Sequence, residues 1–150
     1  MQKITTFLWF NGNAEEATDF YVGVFKNSKL LSAMGPKGKA ISTTFQLEGQ
    51  EFIALNGGPQ FSFTPAISLF VSCETQAEVD ELWVKLTAGG SEEPCGWLKD
   101  RYGLSWQIIP TILGRLLQDK DREKANRVMQ AMLQMKKIDI KRLQQAYDQG

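Results

Sequence analysis

Asp100-Arg101-Tyr102-Gly103-Leu104-Ser105-Trp106-Gln107-Ile108-Ile109-Pro110 is the stretch on which the reading of the fold turns. Its first four residues spell a tight turn. An aspartate side chain can accept from the backbone that follows it, and a glycine tolerates the positive φ that closes such a turn. From Leu104 the pattern alternates. Leu104, Trp106 and Ile108 point one way, and Ser105, Gln107 and Ile109 the other, which predicts a half-buried β-strand. Pro110 has no N–H to give to a ladder and should end it. Gln107 then places a neutral amide on an inner strand face where a metalloenzyme would want a carboxylate or an imidazole.

Upstream, Lys3 to Phe10 is apolar, aromatic and β-branched, hence a strand, followed by an Asn11-Gly12-Asn13 turn in which Asn13 can cap a helix. Ala14 to Phe25 carries Ala17, Phe20, Tyr21, Val24 and Phe25 at helical spacing. Strands are expected at Ser28 to Met34, Ile41 to Leu47 and Glu51 to Leu55, the last two joined by a hairpin at Glu48-Gly49-Gln50. After a turn-rich joint near residue 60 the order repeats. Ala66 to Ser72 reads as a strand, and Thr75 with Glu78 as a capping box opening a helix over Gln76 to Ala88. Weak strands lie between Ser91 and Leu98. Past Pro110 the chain reads as helical, with pieces at Thr111 to Gln118, Asp121 to Met135 and from Asp139 to Tyr147. Their apolar stripes must be buried somewhere, and the expectation is a module edge and a dimer contact.

With 150 residues, 43% of them hydrophobic and 23% charged, the chain suits one soluble domain with a real core. Net charge is zero and no basic cluster stands out, which argues against nucleic acid as a partner. No apolar run approaches the ~20 residues of a membrane span, and no signal-peptide pattern follows Met1, so no membrane partner and a cytoplasmic location are expected. Cys73 and Cys95 are too few for a disulfide framework. The chain has no histidine. That removes the commonest ligand of transition metals and the commonest general base. Three side chains remain as catalytic candidates in a metal-free enzyme: Cys95, which neighbouring Lys99 or Arg101 could activate, Asp100 and Gln107. The plainer readings are an inert thiol by a turn and a surface Asp100–Arg101 ion pair. Trp97 either lines a cavity mouth or packs in the core.

Phe7-Leu8-Trp9-Phe10-Asn11-Gly12-Asn13-Ala14-Glu15-Glu16-Ala17, the Phe20-Tyr21 pair, Glu78-Val79-Asp80 and Asp100 through Gln107 resemble the PhnB-like branch of the vicinal oxygen chelate superfamily, which includes glyoxalase I, bleomycin-resistance proteins and extradiol dioxygenases. The resemblance covers residues 3 to 110. It implies an α+β fold of paired βαβββ modules forming a cupped mixed sheet around a cavity, usually in homodimers. The domain would span 1–110, with modules at about 1–58 and 66–110, and 111–150 would be a helical C-terminal extension. It also implies four metal-ligand positions, which land on Thr6, Ala54, Ala66 and Gln107. Two alanines cannot ligate, and the set carries no charge to offset a dication.

With those positions facing inward, strand parity adds Leu8, Phe10, Phe52, Asn56, Ser68, Phe70, Ser72, Ser105 and Ile109 to the cavity and turns Trp9, Leu55, Leu69, Val71, Trp106 and Ile108 outward against the helices. The expected ligand-binding set is Thr6, Leu8, Phe10, Phe52, Asn56, Ser68, Phe70, Trp97, Ser105 and Gln107. The leading expectation is metal-independent binding of a small molecule, with no cofactor. The alternatives are the metal-free enzyme and a divalent-metal lyase or dioxygenase. Some relatives carry the name 3-demethylubiquinone-9 3-methyltransferase, but no glycine-rich turn for S-adenosylmethionine is found here.

Overall fold

One topology is built twice in succession. β1 (Thr6–Phe10), α1 (Ala14–Val24), β2 (Lys29–Met34), β3 (Ser42–Leu47) and β4 (Gln50–Asn56) form the first copy. The second is β5 (Ser68–Cys73), α2 (Gln76–Thr87), β6 (Ser91–Glu92), β7 (Trp97–Lys99) and β8 (Ser105–Pro110). The sheets run β1-β4-β3-β2 and β5-β8-β7-β6. In each, the first and last strands pair in parallel and the remaining neighbours antiparallel. The structure, a computed structural model, describes residues 2–149. It is the expected α+β fold of paired βαβββ modules, with one four-stranded sheet to each module. The chain divides into two compact units, Met1–Phe63 and Thr64–Gly150.

In the first unit the β3–β4 hairpin turns on Glu48 and Gly49, both at positive φ (50° and 82°), as a tight two-residue turn requires. The expected cap on α1 comes from elsewhere. Asn13 makes no side-chain cap bond. Asn56, at the end of β4, accepts from Ala14 N at 2.9 Å and donates to Ala40 O at 2.9 Å. α1 packs through Tyr21, which stacks on Phe45 at 6.3 Å, and Phe45 stacks on Phe52 at 5.6 Å. Thr18 and Thr43 share a buried hydrogen bond of 2.7 Å.

Those contacts put Thr43, Phe45 and Phe52 under α1, and the ladder carries their register partners with them: Ala54, Leu8 and Thr6, and at the strand ends Phe10 and Asn56. The expected parity is therefore inverted in this module. Thr6, Leu8, Phe10, Phe52, Ala54 and Asn56 face the helix, while Phe7, Trp9, Ile53 and Leu55 face away from it. For β1, the resemblance reaches Thr6 by counting back from the Phe20-Tyr21 pair across the Asn11-Gly12-Asn13 turn. One residue more or less in a turn flips every side chain of the adjoining strand.

In the second unit the parity is as expected. α2 lies along β8, β7 and β5 and buries Val79, Leu82, Trp83 and Leu86. The strands present Cys73, Leu98, Trp106 and Ile108 to it, all buried. Thr75 caps α2 by accepting from Glu78 N at 3.1 Å, and the Glu78 carboxylate reaches back to Glu74 N at 2.9 Å.

The tail belongs to this unit. α3 (Thr111–Leu117), α4 (Arg122–Leu133) and α5 (Ile140–Asp148) close over Ile109 of β8. Leu113, Val128, Met135, Ile138 and Leu143 complete that cluster. Each such side chain contributes about 1.5–3 kcal/mol by leaving water. Asp121 and Asp139 cap α4 and α5. The tail is tied down by Cys95 N and Gly96 N, which donate to Met135 O and Lys136 O at 2.8 Å each. Gln76 adds a second tie by donating to Ile138 O and accepting from Ile140 N. The expectation for these apolar faces is a module edge and a dimer contact; the cluster residues named above lie against the chain's own second unit. No helix among the described residues is long and apolar enough to cross a membrane.

Candidate functional site

The second module turns one sheet face away from α2. β5 contributes Ser68, Phe70 and Ser72, β8 contributes Ser105 and Gln107, and β7 contributes Trp97 and Lys99. The register sets Ser105 between Ser68 and Lys99, and Gln107 between Phe70 and Trp97. Gln107 Nε2 donates to Ser68 Oγ at 3.0 Å. That bond orients the amide and leaves Gln107 Oε1 as an acceptor. Beside it, Ser105 is 0% exposed and its hydroxyl has no hydrogen-bond partner among the described residues. Buried hydroxyls are normally paired, so an unpaired one on a polar strand face marks a place where a partner atom belongs. Phe70 is 59% exposed and Trp97 half-buried, which supplies ring surface on both sides of Gln107. Lys99 stands 3.9 Å from Glu93 and brings a cation to the face. Together these groups can accept from, donate to and stack against a small, mostly uncharged molecule.

The five first-module residues expected to bind ligand are placed differently. Leu8, Phe10 and Phe52 are buried in the α1 core, Thr6 shares their face, and both ends of the Asn56 amide are committed to Ala14 and Ala40. The face away from α1 carries Phe7, 55% exposed, and Trp9. The Trp9 indole donates to Gly58 O at 2.9 Å and meets Phe61 edge-on at 4.9 Å. A Cβ on Gly57 would collide with the Trp9 ring, so that glycine is what lets the indole lie there. Sequence reasoning missed Phe7, Trp9 and Phe61. The available signal was the Gly57-Gly58 pair, which marks a close approach.

The catalytic candidates are scattered in role. Asp100 is 3% exposed. Its Oδ1 accepts from Tyr102 N at 2.8 Å and Leu104 N at 3.1 Å, and its Oδ2 accepts from Trp106 Nε1 at 2.9 Å. It is a buried knot that holds the turn before β8. Arg101 Nε donates to Ala88 O at 3.2 Å. Cys95 sits half-exposed in the 3₁₀ turn Pro94–Gly96 with φ 63°, where its backbone anchors the tail. Cys73 is fully buried, and burial, with Glu78 and Glu74 nearby, pushes its thiol up to about 12. A thiol so raised is inert at neutral pH.

The four positions implied as metal ligands do not fit a dication. Ala54 lies buried under α1, Ala66 offers no donor, and Thr6 shares the α1 face. Moving the first-module positions by one residue brings Phe7 and Ile53 or Leu55 instead, which ligate nothing. Among the described residues no group of three or more His, Cys, Asp or Glu is arranged to hold a metal ion.

The family model described as 3-demethylubiquinone-9 3-methyltransferase matches residues 2–109. The chain belongs to this PhnB-like family. Among solved structures, the PhnB-like chain is 41% identical to a PhnB protein from Bacillus cereus that carries the same methyltransferase name. That match covers 73% of this chain and all of the other, with a TM-score of 0.67. Protein PA1353 from Pseudomonas aeruginosa, 20% identical over 73% of this chain and 96% of its own, has the same fold with a TM-score of 0.60. So does a fosfomycin resistance protein, FosX, from Listeria monocytogenes, solved with manganese(II) and sulfate, at 18% identity over 71% and 90% of the two chains and a TM-score of 0.52. The family match and the Bacillus cereus PhnB relative place the chain in the PhnB-like branch of the vicinal oxygen chelate superfamily. No curated protein matches it.

Proposed function

We propose that this PhnB-like chain binds a small, largely uncharged molecule without a metal, on the β5-β8-β7 face of its second module. The observation that carries this reading is the unpartnered, fully buried Ser105 hydroxyl beside the Gln107–Ser68 bond. Gln107 Oε1 accepts from the ligand, the Ser105 hydroxyl donates to it, and Phe70 and Trp97 cover its apolar part. Metal independence is supported by the mismatch of Thr6, Ala54, Ala66 and Gln107 to a ligand set. The methyltransferase name finds no support in the strand-to-helix turns, which are Asn11-Gly12-Asn13 and Glu74-Thr75 rather than glycine-rich loops. Two free cysteines suit a reducing compartment, so the proposed location is the cytoplasm.

Mass spectrometry of small molecules released from the purified protein tests the binding. A molecule recovered from the parent and lost from both Gln107→Leu and Ser105→Ala is the expected result. Recovery undiminished from both variants would place the ligand elsewhere. Chelator treatment should leave the melting temperature unchanged, and a drop of several degrees would overturn metal independence.

A further inference from the structure

The first unit holds a second recess, on the α1 side of its sheet, of about 350 Å³. That is within the range of small-ligand pockets. Its floor is the buried pair Thr18 and Thr43, 1% and 2% exposed. Thr18 Oγ1 donates to Ala14 O at 2.8 Å. It has one proton, so the 2.7 Å bond between the two hydroxyls must run from Thr43 to Thr18. Thr43 Oγ1 therefore offers the recess only lone pairs.

The rim is set by Glu15. Its two carboxylate oxygens accept from Gly38 N at 3.0 Å and Ala40 N at 2.8 Å, which fixes the loop that carries Lys37. These N–H groups are thereby taken, and the Lys37 charge bears on Glu15. Asp19, one helical turn beyond Glu15, also lines the recess and joins no ion pair among the described residues. Leu30 and Ala33 of β2 supply an apolar wall. Two carboxylates against one ammonium leave the lining net negative. An anion would meet a net negative lining, and a purely apolar guest would leave Thr43 Oγ1 unmatched.

We propose that this recess binds a small primary alkylammonium ion, whose –NH₃⁺ donates to Thr43 Oγ1 under the attraction of Asp19 and whose alkyl chain lies on Leu30 and Ala33. An ammonium has three donors and no acceptor, which matches an acceptor-only floor. The site lies wholly within the first unit and shares no residue with the Ser68–Gln107 face, so the two readings stand or fall separately.

The test is an amide-resolved NMR titration of the intact protein with n-butylammonium chloride at constant ionic strength, with n-butanol and sodium butyrate as comparison ligands. Saturable shifts should appear for residues 15–19, 30–33 and 37–43 with butylammonium and be much weaker with the other two. Asp19→Asn, at an exposed position, should weaken binding up to about fivefold, as loss of one exposed charged contact does. Thr43→Val, if it retains a cooperative melt, should do the same, and Asp19→Asn alone decides the matter if it does not. Gln107→Leu should bind butylammonium like the parent. Equal affinity for butanol or butyrate, the absence of saturable shifts, or an unweakened Asp19→Asn would each overturn the proposal.

Discussion

The two modules share a strand order and a helix position, yet they hold them by different means. In the first, remote residues hold the elements in place. Asn56 caps α1 from forty-two positions away, and Gln2 pairs with the backbone of Glu51, forty-nine away. In the second, the helix cap and the turn before the last strand are held by near neighbours. Thr75 caps α2 within three residues, and Asp100 gathers donors from Tyr102, Leu104 and Trp106 within six. The edges differ as well. β2 is six residues long and exposed throughout, whereas β6 is only two residues long, and the tail closes over Ile109 at the end of β8. One topology can thus be specified by short-range or by long-range contacts. The choice decides which module a sequence reveals.

The contrast is sharpest at Asp100. Asp100→Ala removes the acceptor shared by three buried or half-buried N–H groups and should cost about 4 kcal/mol in denaturant unfolding, with Asp100→Asn costing less because one oxygen remains. A loss under about 1 kcal/mol would show that the local knot is dispensable and that the second module is held like the first.

Leu143→Ala, in the middle of the tail cluster, should cost about 3 kcal/mol by opening a cavity against Val128 and Ile138. The loss should be independent of protein concentration, since the cluster is closed within one chain. A concentration-dependent loss would return the tail to an intersubunit role.

Asn56→Ala should cost about 1–2 kcal/mol, and Thr75→Ala about 1 kcal/mol, while Asn13→Ala should change little. Hydrogen exchange would separate them. Asn56→Ala should speed exchange in the first turn of α1, and Asn13→Ala should not. The reverse pattern would restore Asn13 as the cap.

The smallest expected effect is electrostatic. Hydrogen bonds from Ala40 and Gly38 hold the Glu15 carboxyl below its ordinary 4.5. A lowered folded value means that the contribution is complete above the unfolded value and fades as pH falls through the folded one. Amide exchange at Gly38 and Ala40, corrected for its intrinsic pH dependence, should therefore rise only under acidic conditions. Glu15→Gln should show that raised exchange already at neutral pH.

By itself the sequence determined what depends on near neighbours. The alternation from Leu104, the Asp100–Gly103 turn, the Thr75 cap, the β3–β4 hairpin and the helical breaks at Asp121 and Asp139 are each written within a few residues. The structure has all of them. The Ser68, Gln107 and Ser105 side of the candidate site was legible for the same reason, since parity counted along β8 begins at its own turn. What only the tertiary structure decided lies across turns and between distant segments. The count that put Thr6, Leu8 and Phe10 in a cavity passed through Asn11-Gly12-Asn13, and one residue in such a turn reverses a whole strand face. The Asn56 cap, the acceptor-only Thr43 and the closing of the tail over Ile109 join residues that no local period relates. A strand's pattern says which residues share a face, and only packing says what that face meets.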